Sequence, residues 1–521
     1  MNNPLPPLIQ ALLHANCYPH PVEAIELIET HISWVILTGQ FAYKIKKPLN
    51  LGFLDFSSLE RRRRCCHEEL RLNRRLAPQL YLDVMAIGGT PAAPSFGGAP
   101  PTIEYAVKMR QFPQEAQLDR LLARQALKAA HIDQIAGMMA AFHQRIARAD
   151  ADSRHGSPAN IRQPVVENFA LMRTFITEPR DLDDLGRLER WSTQAFSALT
   201  EALEERRRGG FVRECHGDMH LRNLALIDGD IVAFDCIEFN ENLRWIDVMS
   251  ELAFLIMDLE VRDQRPLARR LLDAYLQLTG DYGGLRVLRF YQVYRAMVRA
   301  KVAAIRLAQA DLDAPARALG TDECRSYLAL AAACARTTQP RLIITHGLSG
   351  SGKTTITQNL LEATDAIRLR SDIERKRLFG RTATTRSDAG IDAGIYDADA
   401  TERTYEHLAS SARDILSAGC TVIVDAAFLQ RSRREAFRRL AGQLGVPFAI
   451  IALHADPATL QARIVQRQQA GADASDADLA VLARQCQTVE AIAAQERGHT
   501  LVVDAQRAVD ADALARQLTG G

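Results

Sequence analysis

The segment GLSGSGKTT, which runs from Gly347 to Thr355, constrains the fold more than any other part of the chain. It matches the pattern GxxxxGK[ST], follows the apolar run LIITH and precedes the helix-forming run TTITQNLLEA. Glycines in such a turn let the backbone bend so that successive N–H groups point at phosphate oxygens. The order of strand, glycine-rich turn and helix therefore predicts an α/β phosphate-loop domain with a mainly parallel sheet.

Two side chains of this loop have an expected role. Lys353 is expected to reach the outer phosphates of a nucleotide, and Thr354 to hold a magnesium ion. The alternative is a fortuitous Gly/Ser turn without a ligand. The residues that we predict to bind the nucleotide share this one loop, and they are Gly347, Ser349, Gly350, Ser351, Gly352, Lys353, Thr354 and Thr355.

Charged residues also follow two other strand-like runs of the same region. Asp372 follows the run AIRLR, with Arg375 in the next helical segment, and Asp425 ends the run CTVIVD. Open parallel sheets bind ligands at the carboxyl ends of their strands. We therefore predict Asp372 as a catalytic base, Arg375 as a contact to the substrate or transition state, and Asp425 as a metal ligand. The alternative for Asp372 is that it only caps a helix.

A pair of arginines follows further along the chain. Arg463 and Arg467 lie four residues apart on one predicted helix face, before a Gly/Asp/Ser-rich loop. Such a pair can close over a bound nucleotide as a lid, so both are predicted to bind it. The alternative is a solvated basic face.

A second constellation lies in the segment RECHGDMHLRNLALIDGDIVAFDCIEFN. Phosphoryl transfer needs one carboxylate to accept the proton of the acceptor, and an amide and a second carboxylate to hold magnesium. In the pattern HGDxxxxN, which begins at His216, Asp218 fits the catalytic role, and Asn223 and Asp235 fit the metal-binding roles.

Two upstream segments supply a predicted pair of nucleotide-binding residues. The strand FAYKIKK offers Lys44, with Lys46 as the second choice, and the helix ERRRRCCHEELRLN offers Glu69 in preference to Glu68. A lysine on a strand and a glutamate on the next helix are what a kinase fold requires. The alternative for either glutamate is simple solvation at the helix surface.

Periodicity and turn residues divide the chain into two domains joined by a linker. We predict helices over 5–15 and 22–29, a hairpin over 34–47, a helix capped by Ser57, and an exposed hairpin loop over 87–101. Residues 114–335 are mostly helical, with a strand-rich island at 211–239. The predicted domains are 1–335, with a small mixed lobe to about 112 and a helical lobe from about 113, and 341–521, after a linker at 336–340.

Composition excludes several classes of protein. The 521 residues carry 64 Lys and Arg against 63 Asp and Glu, so the chain lacks the positive field of a general nucleic-acid binder. Its nine cysteines form no CxxC pair, which argues against a disulfide framework or a zinc site and favours a reducing cytoplasm. No apolar run approaches the length of a membrane span, and the N-terminus lacks the features of an export signal. We expect no membrane partner.

The segments GLSGSGKT, RSDIER and ARIVQR together resemble those of the P-loop small-molecule and polynucleotide kinases, particularly the zeta-toxin-like and polynucleotide-kinase-like branch. The resemblance covers residues 341–521. It implies phosphorylation of a hydroxyl group at the expense of ATP or GTP, and it does not specify which hydroxyl.

The set of Lys44, Glu69, HGDMHLRN and FDCIEF resembles the aminoglycoside phosphotransferase family and its choline- and homoserine-kinase relatives, over about residues 25–330. The resemblance implies an α+β protein-kinase-like fold. One departure is that no GxGxxG precedes the lysine strand, where ETHIS (29–33) stands instead. Either Thr30, His31 and Ser33 donate to phosphate, or this domain binds nucleotide poorly.

Both regions together resemble a bacterial arrangement in which an aminoglycoside-phosphotransferase-like domain is fused to a P-loop domain. We therefore predict a bifunctional phosphotransferase that binds ATP or GTP and Mg²⁺ and phosphorylates small-molecule hydroxyl groups. One alternative is a nucleotide-dependent regulator whose first domain is not catalytic. Another is a polynucleotide 5′-hydroxyl kinase, for which the sequence offers only Arg375, Arg377 and the basic stretch from Arg431 to Arg439.

Overall fold

The computed structural model describes residues 5–52, 54–98, 100–150, 152–307, 313–382, 394–470 and 477–519. The chain forms two compact units. The first comprises residues 1–262 and 290–334, and the second comprises residues 263–289 and 335–521.

The first unit begins with a small lobe built on a six-stranded antiparallel sheet, whose strand order is β1-β2-β3-β6-β4-β5. The predicted hairpin at 34–47 is confirmed as β2 and β3, which pair around a turn at Gly39. The elements of this lobe are α1 (Pro7–Ala11), β1 (Glu26–Glu29), β2 (Ser33–Leu37), β3 (Phe41–Lys46), α2 (Leu59–Asn73), β4 (Tyr81–Thr90), β5 (Ala93–Phe96) and β6 (Thr102–Arg110).

Three local predictions in this lobe are wrong. The segment predicted as a helix at 22–29 contains the edge strand β1, which pairs with β2. The four residues of this strand are too few to distinguish the periodicity of a helix from that of a strand. The cap of α2 is Ser58, whose Oγ accepts a hydrogen bond from the N–H of Arg61, while Ser57 contacts Asp55. The predicted loop at 87–101 contains the end of β4 and all of β5, because these strands pair directly.

The chain from 114 to 335 is mostly helical, as predicted. The strand-rich island at 211–239 is confirmed by β7, β8 and β9. β8 pairs with β9, and β7 pairs with β10, which follows the island. Its elements are α3 (Leu118–Ala123), α4 (Ala129–Arg145), α5 (Pro158–Phe175), α6 (Pro179–Arg208), β7 (Val212–Glu214), β8 (Leu224–Ile227), β9 (Asp230–Ala233), β10 (Trp245–Asp247), α7 (Val248–Glu260), α8 (Arg265–Thr279), α9 (Leu285–Leu307) and α10 (Ala314–Cys334).

The second unit contains a five-stranded sheet in the order β12-β13-β11-β14-β15, with every neighbouring pair parallel. All five residues of β11 are buried, as expected for a strand with both faces covered. The predicted α/β fold is therefore confirmed. Its remaining elements are β11 (Leu342–His346), α11 (Lys353–Ala363), β12 (Ile367–Arg370), α12 (Ser371–Leu378), α13 (Ala398–Ser417), β13 (Val422–Asp425), α14 (Arg431–Leu444), β14 (Phe448–His454), α15 (Pro457–Ala470), α16 (Leu479–Thr488), β15 (Thr500–Asp504) and α17 (Ala511–Thr519).

The compact units divide the chain differently from the predicted domains at one place. Residues 263–289, which include α8, lie within the first predicted domain and pack with the second unit. The side chains of Asp273 on α8 and Arg368 on β12 form a buried ion pair at 2.9 Å. An amphipathic pattern predicts that α8 buries one face, but it does not say which core covers that face.

No helix among the described residues has both the length and the apolar character needed to cross a bilayer.

Candidate active sites

The glycine-rich loop of the second unit joins β11 to α11. Gly352 is the N-cap residue of α11, has φ 84°, and provides no side-chain cap. Gly350 has φ 81°, and a Cβ atom there would lie 2.6 Å from the carbonyl oxygen of Leu460, so only glycine fits. The first N–H groups of this 11-residue helix thus face no capping side chain. This arrangement fits a phosphate group.

Lys353 extends back over the loop. Its Nζ donates to the carbonyl oxygens of Gly347 and Leu348, each at 2.9 Å. Burial lowers the pKa of Lys353, and the charges of Asp425 and Asp372 oppose that shift. The ammonium group thus lies among loop carbonyls and near two carboxylates, where a bound polyphosphate would add a strong counter-charge.

The loop and the charged strand ends of the second unit line one cavity of about 900 Å³. Asp372, Arg375 and Asp425 all belong to its lining, as do both predicted lid arginines. Of the predicted loop residues, Gly347 and Ser351 are absent from the described lining, and the others belong to it. The loop residues in the lining are Ser349, Gly350, Gly352, Lys353, Thr354 and Thr355.

The two strand-end carboxylates differ in their settings. Asp425 ends β13, and its carboxylate accepts a hydrogen bond from Thr357 at 3.2 Å. Asp372 lies in the first turn of α12, whose N-cap residue is Arg370 and carries no side-chain cap. Asp372 is therefore not the N-cap that the alternative reading required. The hydroxyl oxygen of Thr354 and the carboxylate oxygens of Asp425 line the same cavity. Oxygens of these two kinds are suitable ligands for Mg²⁺.

Both arginines of the predicted lid lie on α15. Arg463 donates to the carbonyl oxygen of Ala505 at 2.7 Å and to that of Gly350 at 3.4 Å. Arg467 donates to the carbonyl oxygen of Ala477 at 2.6 Å. Arg463 thus contacts the phosphate loop itself, while part of the Gly/Asp/Ser-rich loop predicted after it, residues 471–476, lies outside the described residues.

Among the lining residues that the sequence did not single out as site residues are Tyr396, Tyr405 and Arg433. Arg433 lies in the basic stretch from Arg431 to Arg439, which was considered only for a polynucleotide acceptor. The guanidinium carbon of Arg433 lies 4.3 Å from the ring centre of Tyr405, and that of Arg375 lies 5.1 Å from the ring centre of Tyr396. The sequence position of Arg433, shortly after β13, could have indicated that it is a site residue, because Asp425 was identified from the end of the same strand.

The first unit brings its predicted lysine and glutamate together. Lys44 Nζ lies 2.9 Å from Glu69 and also pairs with Asp235, whereas Lys46 pairs with Glu69 at 2.6 Å and with Glu238. Burial alone lowers the pKa of Lys44, but Asp235 and Glu69 raise it well above its ordinary value. Both lysines thus contact Glu69, and of the two only Lys44 pairs with the predicted metal ligand among the described residues.

Glu69 is completely buried, while Glu68 forms ion pairs with Arg71 and Arg244. Burial alone would raise the pKa of Glu69, but Lys44 and Lys46 hold it below its ordinary value. Glu69 therefore remains charged inside the small lobe.

The predicted catalytic loop places Asp218 next to Asn223. The Nδ2 of Asn223 donates to the Asp218 carboxylate at 3.0 Å and to its backbone oxygen at 2.9 Å. Burial alone would raise the pKa of Asp218, but His220 and Arg299 hold it well below its ordinary value. Asp218 is thus ionised, and the oxygen of the Asn223 amide is the atom suited to a cation.

Asp235 completes this constellation. It has φ 64°, an unusual conformation for a residue with a side chain, and its carboxylate is 45% exposed. The structure thus brings Lys44, Glu69 and Asp235 into one chain of contacts. Oxygens of Asn223 and Asp235 fit a hard cation such as Mg²⁺.

Buried side chains anchor the backbone of the catalytic loop. Glu251 accepts from the N–H of Gly217 at 2.7 Å, Arg295 donates to the oxygen of Gly217 at 3.1 Å, and Asp258 accepts from the N–H of Leu221 at 2.9 Å. These three contacts fix both ends of the segment that carries Asp218.

One further cluster has the residue types of a metal site. The ligand atoms of His143, Cys215 and Glu251 lie within 4.8 Å of one another, and all three residues are buried. Glu251 already pairs with His143 at 2.9 Å and accepts from Gly217, and burial raises the pKa of Cys215 well above its ordinary value, which disfavours a thiolate. Within this cluster Glu251 thus links His143 to the backbone of Gly217 in the HGDMHLRN segment.

The segment that replaces a glycine-rich cover forms the turn between β1 and β2. Thr30 Oγ1 accepts from the N–H of Ser33 at 2.9 Å and donates to its carbonyl oxygen at 3.0 Å. His31 Nε2 lies 3.3 Å from Nε of Arg306. The hydroxyl of Thr30 is thus engaged within the turn.

Comparison with known proteins identifies both halves of the chain. The family described as "Phosphotransferase enzyme family" matches residues 54–291, and the family described as "AAA domain" matches residues 342–492. The chain is an enzyme of the kinase and phosphotransferase class, and the resemblances stated from its sequence are confirmed.

A relative matches nearly the whole chain. The "Uncharacterized protein Rv2004c" of Mycobacterium tuberculosis is 30% identical over 470 residues, which are 90% of this chain and 92% of the relative. The chain belongs to the family of this mycobacterial protein.

Solved structures resemble each part at low sequence identity. Amicoumacin kinase hAmiN, in complex with AMP-PNP, Ca²⁺ and Ami, has a TM-score of 0.40 at 13% identity and covers 62% of this chain and 92% of its own. A gluconokinase from Sinorhizobium meliloti 1021 has a TM-score of 0.24 at 22% identity and covers 35% of this chain and 91% of its own.

Proposed function

We propose that this protein is a bifunctional phosphotransferase that transfers the γ-phosphoryl group of ATP or GTP to hydroxyl groups of small-molecule acceptors. The observation that carries the proposal is the cavity of about 900 Å³ in the second unit. It is lined together by the phosphate loop, the carboxylates of Asp372 and Asp425, and the guanidinium of Arg375. A nucleotide site, a base and a cation around one space are the parts that phosphoryl transfer needs.

In the second unit, the loop N–H groups and Lys353 bind the phosphates, and Arg463 and Arg467 cover them. The hydroxyl oxygen of the acceptor forms a bond to the γ-phosphorus, and Asp372 takes up the proton that this hydroxyl loses. The bond from that phosphorus to the bridging oxygen breaks, and the nucleoside diphosphate leaves. Thr354 and Asp425 would hold Mg²⁺, which neutralises phosphate charge when bound.

In the first unit, Lys44 binds the nucleotide phosphates and Glu69 holds its ammonium group in place. Asp218 accepts the proton of a second acceptor, and Asn223 and Asp235 would hold Mg²⁺ there. The ionised state of Asp218 and the contact of Lys44 with Asp235 support these roles. The turn at Thr30 and His31 would cover this nucleotide in place of a glycine-rich loop.

We place the protein in the cytoplasm, with a nucleotide and a small hydroxyl compound as its binding partners. None of the nine cysteines, all of which lie in the described ranges, forms a disulfide bond, which suits a reducing compartment. The even balance of charges supports a small molecule rather than nucleic acid as the acceptor.

The test is transfer of labelled γ-phosphate from ATP into a bacterial extract divided into metabolite, RNA and protein fractions. Wild type is compared with Lys353→Ala for the second site and Asp218→Asn for the first. Lys128→Ala and Asp230→Asn make the same chemical changes at exposed positions and serve as matched controls.

We expect each site variant to remove a different labelled metabolite, while both controls keep all products. If all labelling disappears with Lys353→Ala and none with Asp218→Asn, the first unit is a regulatory or binding domain. Label that enters only the RNA fraction would instead assign a polynucleotide acceptor to the second unit. Labelling that survives both site variants would refute the proposal.

A further inference from the structure

The strand order of the second unit separates two sides of its cavity. Strands β12 and β13 lie on one side of β11, and β14 lies on the other. The lid arginines follow β14, and Arg463 contacts the phosphate loop through Gly350. Arg375 follows β12 and Arg433 follows β13. The side that holds Arg375 and Arg433 is thus the one opposite the two arginines of α15.

Arg433 has a charged group that meets no opposite charge among the residues that the structure describes. Its guanidinium carbon lies 4.3 Å from the ring centre of Tyr405, and its buried Nε has no hydrogen-bond partner among the described residues. No carboxylate in the described part of the chain forms an ion pair with Arg433. The guanidinium thus lies at the cavity wall, is held in place by an aromatic ring, and has an N–H donor without an acceptor. These features are suited to binding an anion.

Arg375 is only 7% exposed and binds neutral atoms alone. It donates to the carbonyl oxygen of Ile395 at 2.7 Å and to the hydroxyl of Thr401 at 3.2 Å. Within the described ranges its guanidinium likewise makes no ion pair with a carboxylate. Burial lowers the pKa of Arg375, which reflects the cost of holding this charge out of water, and the charge of Asp372 opposes that shift only in part. An anion in the cavity would offset that cost further.

We infer that the acceptor of the second unit is a hydroxyl compound that carries an anionic group, a carboxylate or a phosphate, and that Arg375 and Arg433 bind this group. The inference rests on the proposed function and names the substrate class of that same site. The cavity volume of about 900 Å³ lies near the top of the range of about 300–1,000 Å³ for ligand pockets. It has room for an acceptor beside a nucleotide.

The first experiment measures binding of inorganic phosphate and sulfate by calorimetry. The full-length protein is saturated with Mg²⁺ and a non-hydrolysable ATP analogue, which fills the γ-phosphate position, so an anion bound at the phosphate loop is not counted. Arg433→Gln removes the charge. Arg439→Gln makes the same change at an exposed position of the same helix and is the matched control.

We expect Arg433→Gln to weaken binding of these anions by about tenfold or more, as for loss of a charge-assisted hydrogen bond, and Arg439→Gln to leave it unchanged. Arg433→Lys keeps the charge without the planar fork, so intermediate binding is expected even if Arg433→Gln folds poorly. Equal binding by wild type, Arg433→Gln and Arg433→Lys, or no binding by wild type, would overturn the inference.

The second experiment distinguishes the two sources of the anion. Three- to six-carbon polyols, the corresponding polyhydroxy acids and the corresponding polyol monophosphates are compared for binding and as acceptors of labelled phosphate. Dependence on Arg433 that is confined to the acids identifies a carboxylate, and dependence confined to the monophosphates identifies a phosphate. Tighter binding of the neutral polyols than of both charged series would contradict the inference.

The proposed function fails by a different result. If Lys353→Ala leaves both binding of the ATP analogue and labelled transfer unchanged, the phosphate loop is not the nucleotide site. If Lys353→Ala abolishes transfer and Arg433→Gln changes neither anion binding nor transfer, the proposed kinase activity is supported and only the inference of an anionic acceptor is refuted.

Discussion

The Asp273 carboxylate accepts a hydrogen bond from the Arg368 guanidinium at 2.9 Å, and each side chain is only 4% exposed. The pair joins α8 to the edge strand β12 of the second unit. Removing one partner of a buried ion pair leaves the other charge uncompensated. We therefore expect Arg368→Met to lower the free energy of unfolding of the second unit by about 3–5 kcal/mol.

Hydrogen exchange of peptides from the second unit is the suitable measurement, because the three tryptophans, Trp34, Trp191 and Trp245, all belong to the first unit. Arg269→Met is the matched control: Arg269 pairs with Asp365, whose side chain is 83% exposed, and the expected change is below about 1 kcal/mol. Equal effects of the two substitutions would show that burial of the Asp273–Arg368 pair does not matter.

Features encoded by a short stretch of sequence were predictable. The glycines at 350 and 352 adopt the positive φ values that the loop pattern requires, and the strand and helix on either side follow from apolar runs next to one another. The pairing of Lys44 with Glu69 was also predictable, since strand and helix are consecutive in the chain. In each of these cases local sequence determines local backbone.

Features that depend on distant contacts were not predictable. Helix α8 has an apolar face, but only the position of Arg368, 95 residues from Asp273, shows which core it joins. Tyr405 and Arg433 meet because α13 and α14 pack together around the end of β13, and no spacing in the sequence reports that contact. The positions of these residues are determined by tertiary packing and not by the local periodicity of the sequence.

Gly350 should not tolerate a side chain. An added Cβ atom would lie 2.6 Å from the carbonyl oxygen of Leu460, and φ at this position is 81°. The left-handed conformation costs a non-glycine residue about 1–2 kcal/mol, and the contact adds to that cost. We expect Gly350→Ala to weaken binding of a non-hydrolysable ATP analogue by about tenfold or more, measured by calorimetry.

The control for this prediction is Gly442→Ala in α14, where an added Cβ atom meets no heavy atom within 4 Å. Alanine has the higher helix propensity, so unfolding should become less favourable by up to about 1 kcal/mol, with unchanged nucleotide affinity. Full affinity in Gly350→Ala would mean that the nucleotide binds to a different loop conformation.

The stability that Glu69 contributes should depend on pH. Its pKa in the folded protein is held below the ordinary value of 4.5 by Lys44 and Lys46, against the opposing effect of burial. The folded state therefore binds fewer protons than the unfolded state in this range, so the stabilisation is fully present above pH 4.5 and is lost as the pH falls below it. We expect the difference in unfolding free energy between wild type and Glu69→Gln to shrink in acid.

Urea unfolding followed by tryptophan fluorescence measures this difference, because all three tryptophans report the first unit. Glu60→Gln on the same helix is the control, since the Glu60 side chain is 68% exposed and pairs with Arg63 only at 3.6 Å. Its effect should be small at every pH. A Glu69→Gln difference that stays constant into acid would contradict a charged, lysine-bound Glu69.

Tyr282 should position the helix that carries the proposed catalytic base of the second unit. Its hydroxyl donates to the Glu374 carboxylate at 2.8 Å, and Glu374 is 1% exposed. Burial alone would raise the pKa of Glu374, but His407 and Arg377 hold it below its ordinary value, so the buried group is charged. Asp372 lies two residues before Glu374 on α12.

We expect Tyr282→Phe to lower the free energy of unfolding of the second unit by about 1.5–3 kcal/mol, because a buried carboxylate loses one donor. Because α12 also loses an anchor, kcat of the second-site transfer should fall while the KM for nucleotide stays unchanged. The labelled transfer assay and hydrogen exchange measure the two effects. Tyr327→Phe is the control, because it loses a hydrogen bond from Arg299 in the first unit. A loss of stability with an unchanged kcat would restrict Tyr282 to folding, whereas a lower kcat at constant KM requires that α12 orients Asp372 for the chemical step.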